Sequence, residues 1–319
     1  MICMHPKPQT TLQSADHCLI RYLEIWEPLP EDSDRLRRRT SAIIEPSETR
    51  SVNCEHAELA IGSGLAGSAY QQKSVVIFQD RPCVTLDQIQ QHTGLSLESL
   101  VAIPLFAEGN LINVVVLGLD SGYGGLEIWS RDDRDELSVS GSYYRGLDSF
   151  EYMSQFVRFP KGAGLPGHCW KYSEANMVID PGRNPNFVRS FDQDVASLTN
   201  CLGIPISRAY GFPASVLLLL SASGSPFAKR CDIVKFQWDA IPEDGSPTSI
   251  VLAPIKSSDL VDDDLHDWYR EIAESMLAAP QVKWLTNLRQ THPHSPFHAG
   301  LVLPVPNQGQ TMDLVSFLF

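Results

Sequence analysis

Apolar and polar residues alternate along several short segments of the chain, with the two-residue period of β-strands. The clearest pair, 126–129 and 137–143, is joined by a short charged turn, so it predicts an antiparallel hairpin. Further strands are predicted at 156–159, 177–180, 202–206 and 216–221, with a short helix at 168–174. The uniformly apolar last strand predicts cover on both faces of the sheet. Together these elements predict an α+β unit of about 100 residues, a mostly antiparallel sheet flanked by short helices.

The same plan repeats along the chain. Three landmarks recur in the same order: a Leu-Glu-Ile-Trp motif, a glycine-rich turn and a proline inside an apolar strand. They stand at 23–26 and 126–129, at 62–67 and 162–167, and at Pro104 and Pro205. Landmarks in one order at a spacing of about 100 residues indicate an internal duplication.

A weaker third copy follows. Its opening strand is predicted at 232–238, and Pro304 marks its proline strand. Between them an apolar stripe at helical spacing predicts a long amphipathic helix, capped by Asp262 or Asp263. The stripe consists of Leu265, Trp268, Tyr269, Ile272, Ala273, Met276 and Leu277. The predicted units are residues 1–122, 123–228 and 229–319, and the third is degenerate.

Composition and charge narrow the class of protein. The chain is 43% hydrophobic and 20% charged, as globular proteins are. A formal net charge of −13 disfavours nucleic acid or an anionic membrane as the main partner. The one basic cluster, the arginines at 35 and 37–39, is interpreted as a solvated hairpin loop. The longest apolar run, 216–220, is far shorter than the ~20 residues of a membrane span. We therefore expect a soluble, cytoplasmic protein.

Cysteines and histidines give no metal-binding pattern. The seven cysteines contain no C-x-x-C motif, which argues against a zinc ribbon or a disulfide framework. His292, His294 and His298 lie in a proline-rich segment without a neighbouring cysteine or carboxylate. No metal site is predicted.

Both glycine-rich turns match G-x-G-x-x-G, a pattern that marks a dinucleotide site between a parallel strand and a long helix. Here the predicted strands pair as hairpins and the helix has about two turns. Pro166 also removes an amide that would face a phosphate. The favoured interpretation is that these glycines allow tight turns and close packing.

The second unit resembles the GAF domain family. It has the glycine-leucine-x-glycine turn, an apolar strand ending in Asp, an Asn-Pro-x-Phe loop and an apolar-Pro-apolar strand, in the family's order. These lie at 162–167, 177–180, 184–187 and 202–206. Unit one lacks the Asn-Pro-x-Phe loop, and unit three keeps only the edges of the pattern. By this resemblance the chain is identified as a tandem GAF protein with a degenerate third copy.

The resemblance implies a pocket between one face of the sheet and the segment before the proline strand. In unit two its candidate walls are Cys169, Trp170, Val178, Asp180, Arg183, Phe187, Arg189 and Ile204. In unit one the analogous residues are Ala69, Tyr70, Ile77, Asp80 and Ile103. Apolar walls with few polar groups suit a small molecule, and guanidinium donors suit an acidic one. The alternative is that Trp170, Val178 and Ile204 form simple core and that both arginines are solvated.

The family's usual roles imply a non-catalytic regulatory protein that senses an unidentified small molecule and signals through a protein partner or as a homodimer. No cofactor is identified. One alternative is an interaction scaffold with collapsed pockets: an open cavity beside Phe187 and Trp170 favours sensing, whereas bulky side chains there favour a scaffold. Another is a free methionine sulfoxide reductase that uses Cys169 and Cys201. Buried, inert cysteine is the favoured interpretation, because reactivity requires a lowered thiol pKa.

Overall fold

A computed structural model describes residues 18–52, 57–79, 84–185, 187–190, 192–206, 213–238, 250–256, 263–292, 295–307 and 311–319. They form an α+β structure in which three antiparallel sheets follow one another along the chain. The first sheet contains β1 (Ile20–Leu29), β2 (Asp32–Ile44), β3 (Thr49–Ser51), β4 (Glu58–Ala60), β5 (Val76–Phe78), β6 (Ser99–Ala107) and β7 (Asn110–Leu119). The second contains β8 (Gly124–Arg131), β9 (Leu137–Arg145), β10 (Asn176–Ile179), β11 (Leu198–Ile206) and β12 (Ser215–Ala222). The third contains β13 (Arg230–Trp238), β14 (Ile250–Lys256), β15 (Lys283–Thr286), β16 (Ala299–Pro306) and β17 (Thr311–Leu318).

All three sheets share one strand order. It runs β2-β1-β7-β6-β5 in the first, β9-β8-β12-β11-β10 in the second and β14-β13-β17-β16-β15 in the third. The predicted hairpin of the second unit is present as β8 and β9. Since every strand pair among the described residues is antiparallel, the dinucleotide-binding architecture is absent from that part of the chain.

One face of each sheet packs into a shared central core. Strands β6, β11 and β16, each next to an edge strand of its sheet, contact one another there, and Pro104, Pro205 and Pro304 meet around a small void. Because side chains alternate between the faces of a strand, the other face of each sheet must be covered separately. Every residue of β12 is buried, as the uniformly apolar sequence predicts.

Helices cover the outer faces. They are α1 (Gly64–Gln72) and α2 (Val84–Thr93) on the first sheet, α3 (Asp148–Ser154) and α4 (Gly164–Tyr172) on the second, and α5 (Asp263–Ala278) and α6 (Leu288–Thr291) on the third. The predicted stripe of α5 is buried from Trp268 to Met276 against the third sheet. Asp262 lies outside the described residues. The sequence did not predict α3, and it predicted an extended piece at 156–159, of which only Phe159 forms an isolated bridge, to Leu137.

Both glycine-rich turns close tightly at a helix start. The amide of Gly162 donates to the carbonyl of Gly167 at 2.8 Å, and Gly62 donates to Gly67 at 2.9 Å. Gly162 has a φ of +88°, which only glycine adopts without strain. A Cβ on Gly167 would lie 2.4 Å from the carbonyl oxygen of Pro160. The glycines therefore permit turning and close backbone packing.

The arginines at 35 and 37–39 do not form the expected solvated loop. They lie on β2, where alternate residues face the helix side of the sheet. Arg38 pairs with Glu24 at 2.7 Å, and Arg35 pairs with Glu58 at 3.1 Å. Within the described residues, no helix is both long and apolar enough to cross a bilayer.

Candidate functional site

A carboxylate without solvent exposure, Glu127, lies on the helix side of β8 in the middle of the second sheet. Arg189 donates to both of its oxygens, at 2.5 and 2.9 Å. The indole Nε1–H of Trp129, the hydroxyl of Tyr144 and the hydroxyl of Ser154 donate at 2.8, 2.5 and 2.8 Å. A buried carboxylate needs this degree of hydrogen bonding to remain ionised.

The Arg189 guanidinium lies in an aromatic cage. Its central carbon is 4.0 Å from the ring centroid of Phe150, and the rings of Trp129, Phe187 and Phe159 lie at 5.4, 5.7 and 5.9 Å. Rings at these distances attract a cation through their electron-rich faces. Arg189 itself is 1% exposed. The chain's own cation thus fills the interior beside Phe187.

The pair is ionised. Burial alone would raise the pKa of Glu127, but the charge and hydrogen bonds of Arg189, with those of Tyr144 and Trp129, hold that pKa below its usual value. Burial would lower the pKa of Arg189, and the facing charge of Glu127 raises it instead. Removing one member of such a pair strands a buried charge, which typically costs about 3–5 kcal/mol.

The other sheets hold an acid and an arginine at the same position. Strand register aligns Glu24 and Asp232 with Glu127, since the three lie opposite Val116, Ser316 and Leu218. Glu24 accepts hydrogen bonds from Arg38, Tyr22 and Trp26 at 2.7, 2.7 and 2.9 Å. Asp232 accepts from Arg230 at 3.0 Å and from Tyr269 at 3.0 Å. An acid, an arginine and a tyrosine therefore recur on the helix side of all three sheets.

Some of the candidate wall residues of unit two are buried beside the sheet, and others are exposed. Cys169, Trp170, Val178 and Phe187 lie in or against the helix-side core of the second sheet, around the Arg189 cage. Asp180 and Arg183 are exposed in the turn after β10. Whereas Asp180 was expected to face the pocket, it has a φ of +47° in a tight turn beyond the end of the strand.

Two more candidate residues of unit two, Ile204 and Arg189, also need correction. Ile204 lies in the central core, on the opposite face of the sheet, because residues of β11 alternate between faces. Ile103, its analogue in unit one, lies in that core too. Arg189 is neither solvated nor available to an acidic ligand, since it is buried and both of its terminal nitrogens donate to Glu127. Asp80 lies outside the described residues.

The Glu127–Arg189 pair itself was missed, although one signal for Glu127 was present. The repeated Leu-Glu-Ile-Trp motif places a charge inside an apolar strand, and such a charge must find a buried partner. The sequence did not reveal which arginine that is.

Cys169 and Cys201 are buried thiols on the helix side of the second sheet. Burial raises the pKa of both well above the usual value, and the Arg189 charge lowers that of Cys201 only in part. Both are therefore protonated at neutral pH. A nucleophilic or redox-active cysteine requires the thiolate, so this environment disfavours reductase chemistry.

An open cleft lies on the helix side at one end of the second sheet, with a volume of about 530 Å³. Trp170 of α4 forms one wall, and the rest is lined by Ser130, Arg131, Asp135, Lys161, Pro213 and Ala214. Arg131 pairs with Asp135 at 2.5 Å. The indole Nε1–H of Trp170 is buried without a hydrogen-bond partner among the described residues. Lys161 Nζ lies 5.7 Å from the Trp170 ring centroid. The interior is thus filled beside Phe187 and open beside Trp170.

The histidine-rich segment contributes His292 and His298 to the part of the chain that the structure describes. Groups of three or more potential ligands are absent there. His298 is 7% exposed, and burial lowers its pKa, so it is a neutral side chain. His294 lies outside the described residues.

The fold defines an α+β protein with antiparallel sheets. No family model and no curated protein matches the chain. A Staphylococcus aureus NreA protein mutated in its nitrate binding site is similar with a TM-score of 0.27, 20% identity and coverage of 33% of this chain and 79% of that chain. For the hypothetical protein SA1058 from S. aureus these values are 0.26, 20%, 33% and 86%. For the GAF domain region of a putative membrane protein from Geobacter sulfurreducens they are 0.27, 12%, 49% and 79%.

Proposed function

We propose that this chain is a non-catalytic regulatory protein made of three GAF-like units, residues 1–122, 123–228 and 229–319. It senses a small molecule at the second unit and passes the signal to a protein partner. The resemblance of 162–206 to the GAF signature and the common strand order of the three sheets support this proposal. The buried, protonated thiols of Cys169 and Cys201 favour binding over catalysis.

The Trp170 cleft is the observation that carries the proposal. A buried N–H without a partner costs free energy, and a ligand acceptor that enters beside Trp170 and reaches this N–H would recover it. Arg131 and Lys161 line the same cleft together with Asp135, which pairs with Arg131, so the lining keeps a net positive charge that favours an anionic group. The indole ring offers an apolar wall. The ligand class is therefore a small anion with a planar or apolar part.

The test compares the wild-type protein with Trp170→Phe, which keeps an aromatic ring and removes the indole N–H. A panel of small carboxylates, phosphates and nucleotides is screened by thermal shift, and hits are titrated by calorimetry. We expect at least one anion to raise Tm saturably and to bind roughly 10-fold more weakly to the variant, as for one lost hydrogen bond. Absence of any stabilising compound, or equal affinity for both proteins, would contradict sensing at this cleft.

A second function, an interaction scaffold with a closed interior, is favoured by the Arg189 cage. An arginine fills the interior, and exposed apolar side chains lie outside it: Phe156 is 65% exposed, Tyr152 61% and Val188 46%. Tyr152 and Phe156 pack edge to face at 5.1 Å. If this patch joins two copies of the chain, sedimentation velocity will show a dimer that Phe156→Ser dissociates. A wild-type monomer at high concentration would argue against this form of the scaffold.

A further inference from the structure

The three aligned carboxylates obtain their guanidinium groups from different parts of the chain. Arg38 lies on the neighbouring strand β2, Arg230 lies two residues before Asp232 on the same strand, and Arg189 comes from the segment between β10 and β11. The backbone routes differ, yet a guanidinium lies against the acid each time. The position itself, rather than a particular chain path, therefore selects a guanidinium.

The second sheet provides the most complete site. Glu127 accepts two guanidinium N–H groups, and the Ser154 hydroxyl lies 2.5 Å from Arg189 Nη1. Phe150 lies against the central carbon of the guanidinium, and Phe187 is stacked on Phe150 with 9° between the ring planes. The two oxygens of a carboxylate accept two parallel N–H groups of a guanidinium, and aromatic rings pack against its flat face. An ammonium is a compact charge that can make neither of these contacts in the same geometry.

The segment that carries Arg189 is attached chiefly by side chains. Residues 187–190 belong to no helix or strand, and their backbone hydrogen bonds are local turns. The amide of Phe187 donates to Asn184, and that of Ser190 donates to Phe187. Val188, between the two buried residues, is 46% exposed. Arg189 and Phe187 thus act as side-chain anchors, and Arg189 is the charged one.

We propose that the helix-side interior of the second sheet is a guanidinium-binding site that the chain occupies with its own Arg189. Its ligand class is a small guanidinium compound, which takes the place of the Arg189 side chain against Glu127 once that side chain is removed. This site is distinct from the Trp170 cleft, and neither requires the other.

The test replaces Arg189 with alanine and supplies the missing fragment, ethylguanidinium. Thermal unfolding and calorimetry are recorded with ethylguanidinium, with ethylammonium and with neutral ethylurea. The controls are the wild-type protein, whose site is filled, and Arg183→Ala, which removes an exposed arginine from the same loop. The double variant Arg189→Ala/Glu127→Gln tests the carboxylate.

Ethylguanidinium is expected to bind Arg189→Ala with a Kd on the order of 1 mM and to raise its Tm by about 4 °C at saturation. Ethylurea and ethylammonium should have at most a tenth of this affinity, and the wild-type, Arg183→Ala and double-variant proteins should not respond. If Arg189→Ala does not fold alone, recovery of a cooperative transition by ethylguanidinium supports the proposal. Failure of recovery, no saturable response of a folded variant, or an equal response of the wild type overturns it.

Discussion

Asp313 accepts a hydrogen bond of 2.6 Å from the backbone N–H of Ala175, and so joins β17 of the third sheet to the residue before β10 of the second. The aligned residue of the first sheet makes the equivalent bond. Asn113 accepts from the N–H of Val282, the residue before β15, at 2.9 Å. Each contact joins the last strand of one sheet to the residue just before an edge strand of another sheet. The three sheets therefore pack with approximate threefold symmetry.

Asp313 makes stability depend on pH. Burial raises its pKa to about 6, and the side chain of Asn307, the charge of Lys235 and the hydrogen bond from Ala175 only partly oppose this. The folded protein therefore holds a proton that the unfolded chain releases at lower pH, and the stabilisation is lost as pH rises through the folded-state pKa. Relative to Asp313→Asn, the wild type should lose about 2 kcal/mol between about pH 4 and pH 7. Urea unfolding of both proteins across this range measures it; parallel curves would show that Asp313 is not protonated in the folded state.

In the described part of the chain, the second sheet does not make the contact that Asn113 and Asp313 make in the first and third sheets. Ser215 aligns with Asn113 and Asp313, but its buried hydroxyl has no hydrogen-bond partner among the described residues. Ser215→Ala should therefore change the free energy of unfolding by less than about 0.5 kcal/mol. Asn113→Ala should cost about 1–3 kcal/mol, because it strands the buried amide of Val282. Equal losses in chemical denaturation would contradict the assignment.

The repeated pattern explains why the fold was more predictable than the site. Alternation and spacing located the strands of the second unit and the stripe of α5, because these signals are local. The prediction that Ile204 lines the pocket was wrong because both faces of β11 are apolar. Alternation does not show which of the two faces packs into the core shared by the three sheets. The partner of Glu127 could not be predicted because Arg189 is 62 residues away along the chain, in a loop without periodicity. Only tertiary packing brings them together.

Gly167 should tolerate no side chain. A Cβ there would meet the Pro160 carbonyl at 2.4 Å, so Gly167→Ala forces the turn before α4 to open. The expected loss is about 2 kcal/mol or more, as for other overpacked positions. Gly182→Ala is the matched control, since its added Cβ would lie at ordinary contact distance, 3.4 Å from the nearest atom. Urea midpoints measure both, and a wild-type midpoint for Gly167→Ala would mean that the turn has room to relax.

Glu127 and Glu24 occupy the same position in two sheets but differ in burial. This difference determines how much free energy of unfolding each contributes. The Glu127 side chain is 0% exposed, whereas that of Glu24 is 12% exposed. Glu127→Gln keeps the shape of the side chain but leaves the charge of Arg189 buried without a counter-ion. The substitution should therefore lower the free energy of unfolding by about 3–5 kcal/mol. Glu24→Gln should cost roughly 1 kcal/mol, because solvent reaches Arg38 and screens its charge. Guanidinium chloride would screen both charge pairs, so the two variants are compared in urea at constant salt. Similar losses in both would mean that water reaches Arg189, and the description of a closed cage would then be wrong.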